Sequence, residues 1–214
     1  MRDAYHEELD ALTVKLVEMT RLVRSAISRA TTALLDSDLP LAESVISRDE
    51  EVNRLFAEIE ASIFELMARQ QPVAVDLRMI ITALRMGTDL ERMGDLAEHV
   101  AKVARLRHPD SAIPVELRPT ILEMGQIAEN IVTKAGSCIA RRDVESALEL
   151  EGDDDAMDRL HRKLFREILA KEWQHGVEPA IDITLVGRYY ERYADHAVRI
   201  ARDVVYLVTG SRPA

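Results

Sequence analysis

The chain has 214 residues, 47% of them hydrophobic and 4% aromatic, and a formal net charge of −10. That length holds one large domain or two small ones, and the Leu-, Ala-, Glu- and Arg-rich composition, poor in Gly and Pro, is helical material. The acidic excess repels phosphate backbones and argues against a nucleic-acid partner; it suits cations or basic protein surfaces.

The apolar residues keep helical spacing from the start. Leu9, Leu12, Leu16, Met19, Val23, Ala26, Ala30 and Leu34 step by three and four, a heptad-like stripe on one long helix. DSDLP at 36–40 supplies a turn, with Asp38 placed to cap a second helix and Pro40 just inside it. This helix is predicted to run to about Ala68, turning Val45, Val52, Leu55, Ile59, Ile63 and Leu66 inward, until RQQP at 69–72 breaks it. A third helix starts near Val73 and ends before RHPDSAIP at 107–114, whose two prolines and Pro-Asp turn make the best linker in the chain. A fourth helix is predicted over 121–140, a fifth from about Val144 to Trp173, and a sixth from about Ala180 to Val208 after the break QHGVEP at 174–179. No Asn-Gly hairpin and no sustained period-two alternation signals a strand.

The single cysteine, Cys138, has no disulfide partner and no zinc-site spacing, which fits a reducing compartment. The opening MRDAYHEELD lacks the apolar core of a signal peptide, and no run approaches the roughly 18 apolar residues of a membrane span. The expectation is a cytoplasmic protein without membrane insertion.

The two halves repeat each other. Residues 34–55 match 139–160 without gaps at an offset of 105, so that Asp38 falls on Asp143, Ala42 on Ala147, Asp49 on Asp154, Asn53 on Asp158 and Leu55 on Leu160. In the third helix of each half the offset is 100. The predicted fold is therefore all-α: two tandem three-helix bundles related by internal duplication, at 1–106 and 118–214, with a linker at 107–117. Joined end to end, they would give an elongated, roughly flat molecule with long exposed faces.

The repeat includes acidic residues. DLERMGD at 89–95 holds Glu91 and Asp95, and YYERYAD at 189–195 holds Glu191 and Asp195. Each pair lies roughly 100–140° from the heptad stripe of its helix, which is Met86, Leu90, Met93, Ala97, Val100 and Ala104 in the third helix. In the sixth it is Val186, Tyr190, Tyr193, Ala197, Ile200, Val204 and Leu207. Acidic residues on the polar side of an amphipathic helix are ordinary surface. Against that reading, both pairs recur at equivalent positions, and carboxylates at i, i+4 repel by on the order of a few tenths of a kcal/mol unless a cation sits between them. The second helix of each half also brings an acidic cluster: RDEEVN at 48–53 puts Asp49 beside the apolar stripe, and DDDAMD at 153–158 does the same with Asp154, followed by Asp158. If the second and third helices of a half lie side by side, these groups face each other across a groove. Oxygen donors of this kind suit magnesium, manganese or iron, whereas zinc usually takes some His or Cys.

Other candidates are weaker. EWQH at 172–175 is one Glu-x-x-His where carboxylate-bridged di-iron bundles need two, so a charge pair at a helix end is the simpler reading. His161 reads as helix surface, and His99, one turn beyond Asp95, is matched by Arg199. Tyr189, Tyr190 and Tyr193 read as packing residues and Cys138 as a small core residue.

Two three-helix units, each with Glu-Arg-x-x-Asp on its third helix, resemble the PhoU family. PVAVDLRMIITALRMGTDLERMGDLAEHVAKVA at 72–104 looks like its first signature and RYYERYADHAVRIARDVVYLVTG at 188–210 like its second, in a form similar to actinobacterial members. The resemblance implies a cytoplasmic, all-helical, homodimeric negative regulator of phosphate uptake and the phosphate regulon, an adaptor between the ATPase of a phosphate ABC transporter and a sensor histidine kinase. It also implies divalent metal (iron, zinc, magnesium or manganese) at Glu91, Asp95, Glu191 and Asp195, to which the duplication adds Asp49, Asp154 and Asp158. The chain departs from the pattern where Gly94 becomes Ala194, which looks harmless on a helix, and where Asn53 stands against Asp158, which makes the two sites unequal. The alternatives are a carboxylate-bridged di-metal oxidase and a metal-free helical scaffold.

Overall fold

The computed structural model describes residues 2–70 and 72–211 as six helices, with no strand among them. They are α1 (Arg2–Asp36), α2 (Leu39–Gln70), α3 (Val75–Arg107), α4 (Arg118–Arg141), α5 (Val144–Ile168) and α6 (Val177–Thr209). The caps repeat with the duplication. Asp38 accepts from the Leu41 amide at 2.9 Å, and Asp143 from the Ser146 amide at 3.1 Å. The residue before each cap, Ser37 or Arg142, takes the left-handed conformation (φ 52° and 54°) that turns the chain through its short αα connection.

The fifth helix is shorter than predicted. It ends at Ile168, and the segment up to Gly176 forms turns closed by Trp173, whose indole donates to the Gly176 carbonyl at 2.7 Å. EWQH is thus not at a helix end. It lies in this connection, where His175 pairs with Glu116 of the preceding linker.

The apolar stripes all turn inward, from Leu9 to Leu34 in α1, Val45 to Leu66 in α2, Met86 to Ala104 in α3 and Val186 to Val204 in α6; only Ala26 and Leu207 are partly exposed. Cys138 is buried in the same core. The two units do not join end to end. α1 packs on α4 and α3 on α6, so α1, α3, α6 and α4 close a central ring of four helices, with α2 flanking α1 and α3, and α5 flanking α4 and α6. One continuous apolar cluster runs through both repeats.

The seam between the repeats has a local two-fold character. In α1·α4, Thr20 fills the space over Gly136 and Thr31 the space over Gly125; a Cβ on either glycine would come within 2.6 Å of the threonine. Thr20 and Gly125 are equivalent under the 105-residue offset, as are Thr31 and Gly136, so one threonine-on-glycine contact is used twice. α3 and α6 are likewise antiparallel. Arg107 near the end of α3 pairs with Asp182 at 2.6 Å and with Glu178 near the start of α6. Arg78 at the other end lies against Gly210, and between them Asp89 meets the buried His196 at 2.7 Å.

Candidate metal centre

α2 packs beside α3 and α5 beside α6, which brings the duplicated acidic residues to two grooves. Glycine contacts fix the register. Gly87 faces Phe56 and Gly94 faces Asp49 in the first groove; Gly187 faces His161 and Leu164 in the second. Each groove is therefore a ladder of three rungs. In the first, Asp49 lies over Gly94 near Asp95, and Phe56 packs on Gly87, so that helical spacing sets Asn53 level with Glu91 between them. In the second the rungs are Asp154 with Asp195, Asp158 with Glu191, and His161 with Gly187.

Glu91, Asp95 and Glu191 point away from the apolar seam, yet the neighbouring helix half-buries them: their side chains are 22%, 30% and 16% exposed. The electrostatics register the crowding. Burial, then the charges of Glu98 and Asp95, push the Asp49 carboxyl up to about 6, while the Asn53 amide pulls the other way. Burial, then Asp195, Asp158 and Glu191, push Asp154 up to about 6 as well. Glu91 and Glu191 are also raised, by burial first and by Asp95 or Asp195 next.

Cations of the chain answer part of this charge. Arg92 pairs with Asp95 at 2.9 Å, Lys102 with Glu98 at 2.5 Å, and Arg188 places one nitrogen 2.6 Å from both oxygens of Glu191. With the side chains in these positions, no three His, Cys, Asp or Glu among the described residues converge to hold a metal.

The two grooves differ in ways the sequence only half discloses. Asp49 receives a hydrogen bond from Asn53 at 3.0 Å and seats its Oδ1 over Gly94, where a Cβ would come within 2.8 Å. Ala194 stands where the first repeat has Gly94, so a methyl occupies the position that Gly94 leaves open beside Asp49. With Asp158 in place of Asn53 the amide donor is gone too, and Asp154 Oδ1 is buried without a hydrogen-bond partner. His161 is not plain surface either. It is half-buried in the place of Phe56, edge-on to Phe165, with its Nε2 buried and unpartnered. His99 turns toward the other repeat, its ring 5.2 Å from Tyr189 and its Nδ1 against the Asp95 carbonyl. Glu98 beside Asp49 and His161 beside Glu191 escaped the sequence comparison because their equivalents, Val198 and Phe56, break the repeat.

A duplicated helical bundle with paired acidic ladders, and no described helix long and apolar enough to cross a membrane, is the architecture to be placed. The PhoU domain matches this chain twice, at residues 16–104 and 121–204. The phosphate-specific transport system accessory protein PhoU homolog 2 of Mycobacterium tuberculosis is 49% identical over 213 residues, covering 100% of both chains. PhoU homolog 1 of Mycobacterium leprae is 48% identical over 100% of this chain and 96% of its own. The crystal structure of PhoU from Pseudomonas aeruginosa superposes with a TM-score of 0.87 at 31% identity, covering 97% of this chain and 100% of that one. The phosphate transport system regulatory protein PhoU from Streptococcus pneumoniae gives 0.88 at 26% identity, covering 98% and 99%. The chain belongs to the PhoU family.

Proposed function

We propose that this protein is a cytoplasmic accessory regulator of phosphate-specific transport that represses phosphate uptake and the phosphate regulon when phosphate is plentiful. It acts without catalysis, by contact: an adaptor between the transporter ATPase and a sensor histidine kinase, itself a homodimer. The observation that carries this reading is the match to both PhoU repeats together with relatives, similar over essentially the whole chain, that are named accessory proteins of phosphate-specific transport. Exposed apolar side chains at the α2–α3 tip (Phe64, Val73 and Val75, each more than half exposed) offer surface to a protein partner.

The metal reading belongs to the same proposal. A divalent cation would be held by Asp49, Glu91 and Asp95 in the first groove and by Asp154, Asp158, Glu191 and Asp195 in the second. The donor set fits on charge, and the orphaned Asp154 Oδ1 supports the fit, since a buried acceptor without a partner costs about 1–3 kcal/mol that a cation would offset. Bound there, the cation neutralises like charges and ties α2 to α3, or α5 to α6. The oxidase alternative loses its Glu-x-x-His, because His175 is engaged with Glu116 in the α5–α6 connection.

The test is deletion of the gene in its own host, with a phosphate-regulon reporter read in high phosphate. Mycobacterium tuberculosis has relatives named homolog 1 and homolog 2, so any second copy is deleted as well. Derepression that the wild-type gene reverses is the expected result; repression intact in the strain lacking both copies contradicts the regulator reading.

A further inference from the structure

The geometry points to a binding cleft for a nucleoside phosphate at the α1·α4 seam, where Arg21 and Arg24 of α1 and Arg141 of α4 receive the phosphoryl end. The cleft shares no residue with the acidic grooves.

Two adjoining hollows of about 900 and 260 Å³ open along this seam, and Val17, Arg21, Ala140 and Arg141 line both. Hollows of this size hold a small organic molecule. Small residues make the room: Gly136 lets α4 approach Thr20, and Ala140 stands where the first repeat has Leu35.

The cations of the cleft are unanswered. Arg21, Arg24 and Arg141 are exposed and have no ion pair or hydrogen bond among the described residues, in a chain with 38 acidic residues against 28 lysines and arginines. The duplication shows that this charge is local. At the 105-residue offset the three arginines correspond to Gln126, Glu129 and Asp36, so the equivalent end of the seam replaces three positive charges with two negative ones. The hollow at that end contains Arg118, which is held by Asp36 at 3.4 Å and by the Leu35 carbonyl.

Guanidinium forks from both helices match the oxygens of a phosphoryl group, and three of them balance a dianion or trianion better than a single carboxylate. Thr133 and Ser137 donate their hydroxyls to carbonyls of their own helix, so the arginines carry the recognition. The wider hollow continues past Val14 and Leu22 to Asp10 and Glu18, and Asp10 meets Arg142 at 3.8 Å. Those carboxylates repel a second anionic end and accept hydrogen bonds from hydroxyl and amino groups. A nucleoside phosphate meets all of these demands, with phosphate for the arginines, an apolar base face for the valines and leucine, and hydroxyl and amino groups for the carboxylates.

The experiment is titration calorimetry of the full chain with ADP, GDP and inorganic phosphate, with chelator present so that the acidic grooves hold no cation. Co-sedimentation with phosphatidylglycerol vesicles tests a lipid headgroup as the source of the same chemistry. Arg21→Gln/Arg141→Asp installs the residues of the equivalent end, and circular dichroism checks that it folds; Arg21→Gln alone, with the same expected loss, serves if the pair does not. Arg105→Gln/Arg199→Gln removes two exposed arginines elsewhere. The expected result is nucleotide binding weakened roughly tenfold or more in Arg21→Gln/Arg141→Asp, and inorganic phosphate bound roughly tenfold or more weakly than nucleotide by wild type. Arg105→Gln/Arg199→Gln stays within about twofold of wild type, because solvent screens distant surface charges. Nucleotide binding unchanged by Arg21→Gln/Arg141→Asp, inorganic phosphate bound as tightly as nucleotide, binding to vesicles alone, or no binding of either nucleotide would each overturn the proposal.

Discussion

Two tyrosines three residues apart on α6 are both fully buried, yet they are satisfied differently. Tyr190 shares a 2.6 Å hydrogen bond with Thr31 of the other repeat, whereas the Tyr193 hydroxyl has no partner. Tyr190→Phe is expected to cost about 1 kcal/mol, the net worth of one buried hydrogen bond, whereas Tyr193→Phe is expected to be neutral or stabilising by a similar amount; chemical denaturation of the two variants measures both. Asp154 makes a pH-dependent case. Its carboxyl titrates near 6 when folded against 3.8 ordinarily, so its neutral form is favoured by folding. The associated stability is complete below about pH 4 and lost as pH rises through about 6. Asp154→Asn is therefore expected to stabilise the metal-free protein at about pH 7.5, by about 1 kcal/mol once solvent screening of this partly exposed group is allowed for, and to have no effect near pH 4. A gain at low pH, or a loss at neutral pH, would count against the crowded-carboxylate description.

Among the helices, the α1·α4 contact is set by small residues. The two threonine-on-glycine sockets admit no further atom without backbone movement. Gly125→Ala and Gly136→Ala are each expected to destabilise by about 1–3 kcal/mol despite alanine's better helix propensity. Adding Thr31→Ala should recover part of the loss in the first and none in the second, since Gly136 meets Thr20; thermal unfolding of the four variants distinguishes specific overpacking from a general helix effect. Much at this scale was legible beforehand. The 3.6-residue spacing of stripes such as Leu9 to Leu34 located the helices, and the Asp38 cap located the start of α2. The end of α5 was not legible, because Leu169 through Trp173 continue a helical composition, and the chain leaves the helix for a tertiary reason: Trp173 folds back onto Gly176.

For the whole molecule, the duplication foretold two similar units but not how they join. Side-by-side packing of the repeats depends on contacts that are not periodic along the chain, such as Thr31 of α1 with Tyr190 of α6 or Asp89 of α3 with His196 of α6. The result is one shared core, so unfolding is expected as a single transition, with calorimetric and van't Hoff enthalpies in agreement; two separable transitions would mean independent repeats. The acidic ladders were legible where they repeat (Asp49, Asp154, Asp158 and the two Glu-Arg-x-x-Asp motifs) and illegible where the halves diverge, at His161 and Glu98. The most direct test of the ladders as cation sites is the unfolding midpoint of the full chain with divalent cation and with chelator, in wild type and in Glu91→Gln/Asp95→Asn/Glu191→Gln/Asp195→Asn. A cation-dependent rise of about 5 °C or more in wild type, absent from the quadruple variant, is the expected result; equal shifts in both, or none in wild type, would contradict it.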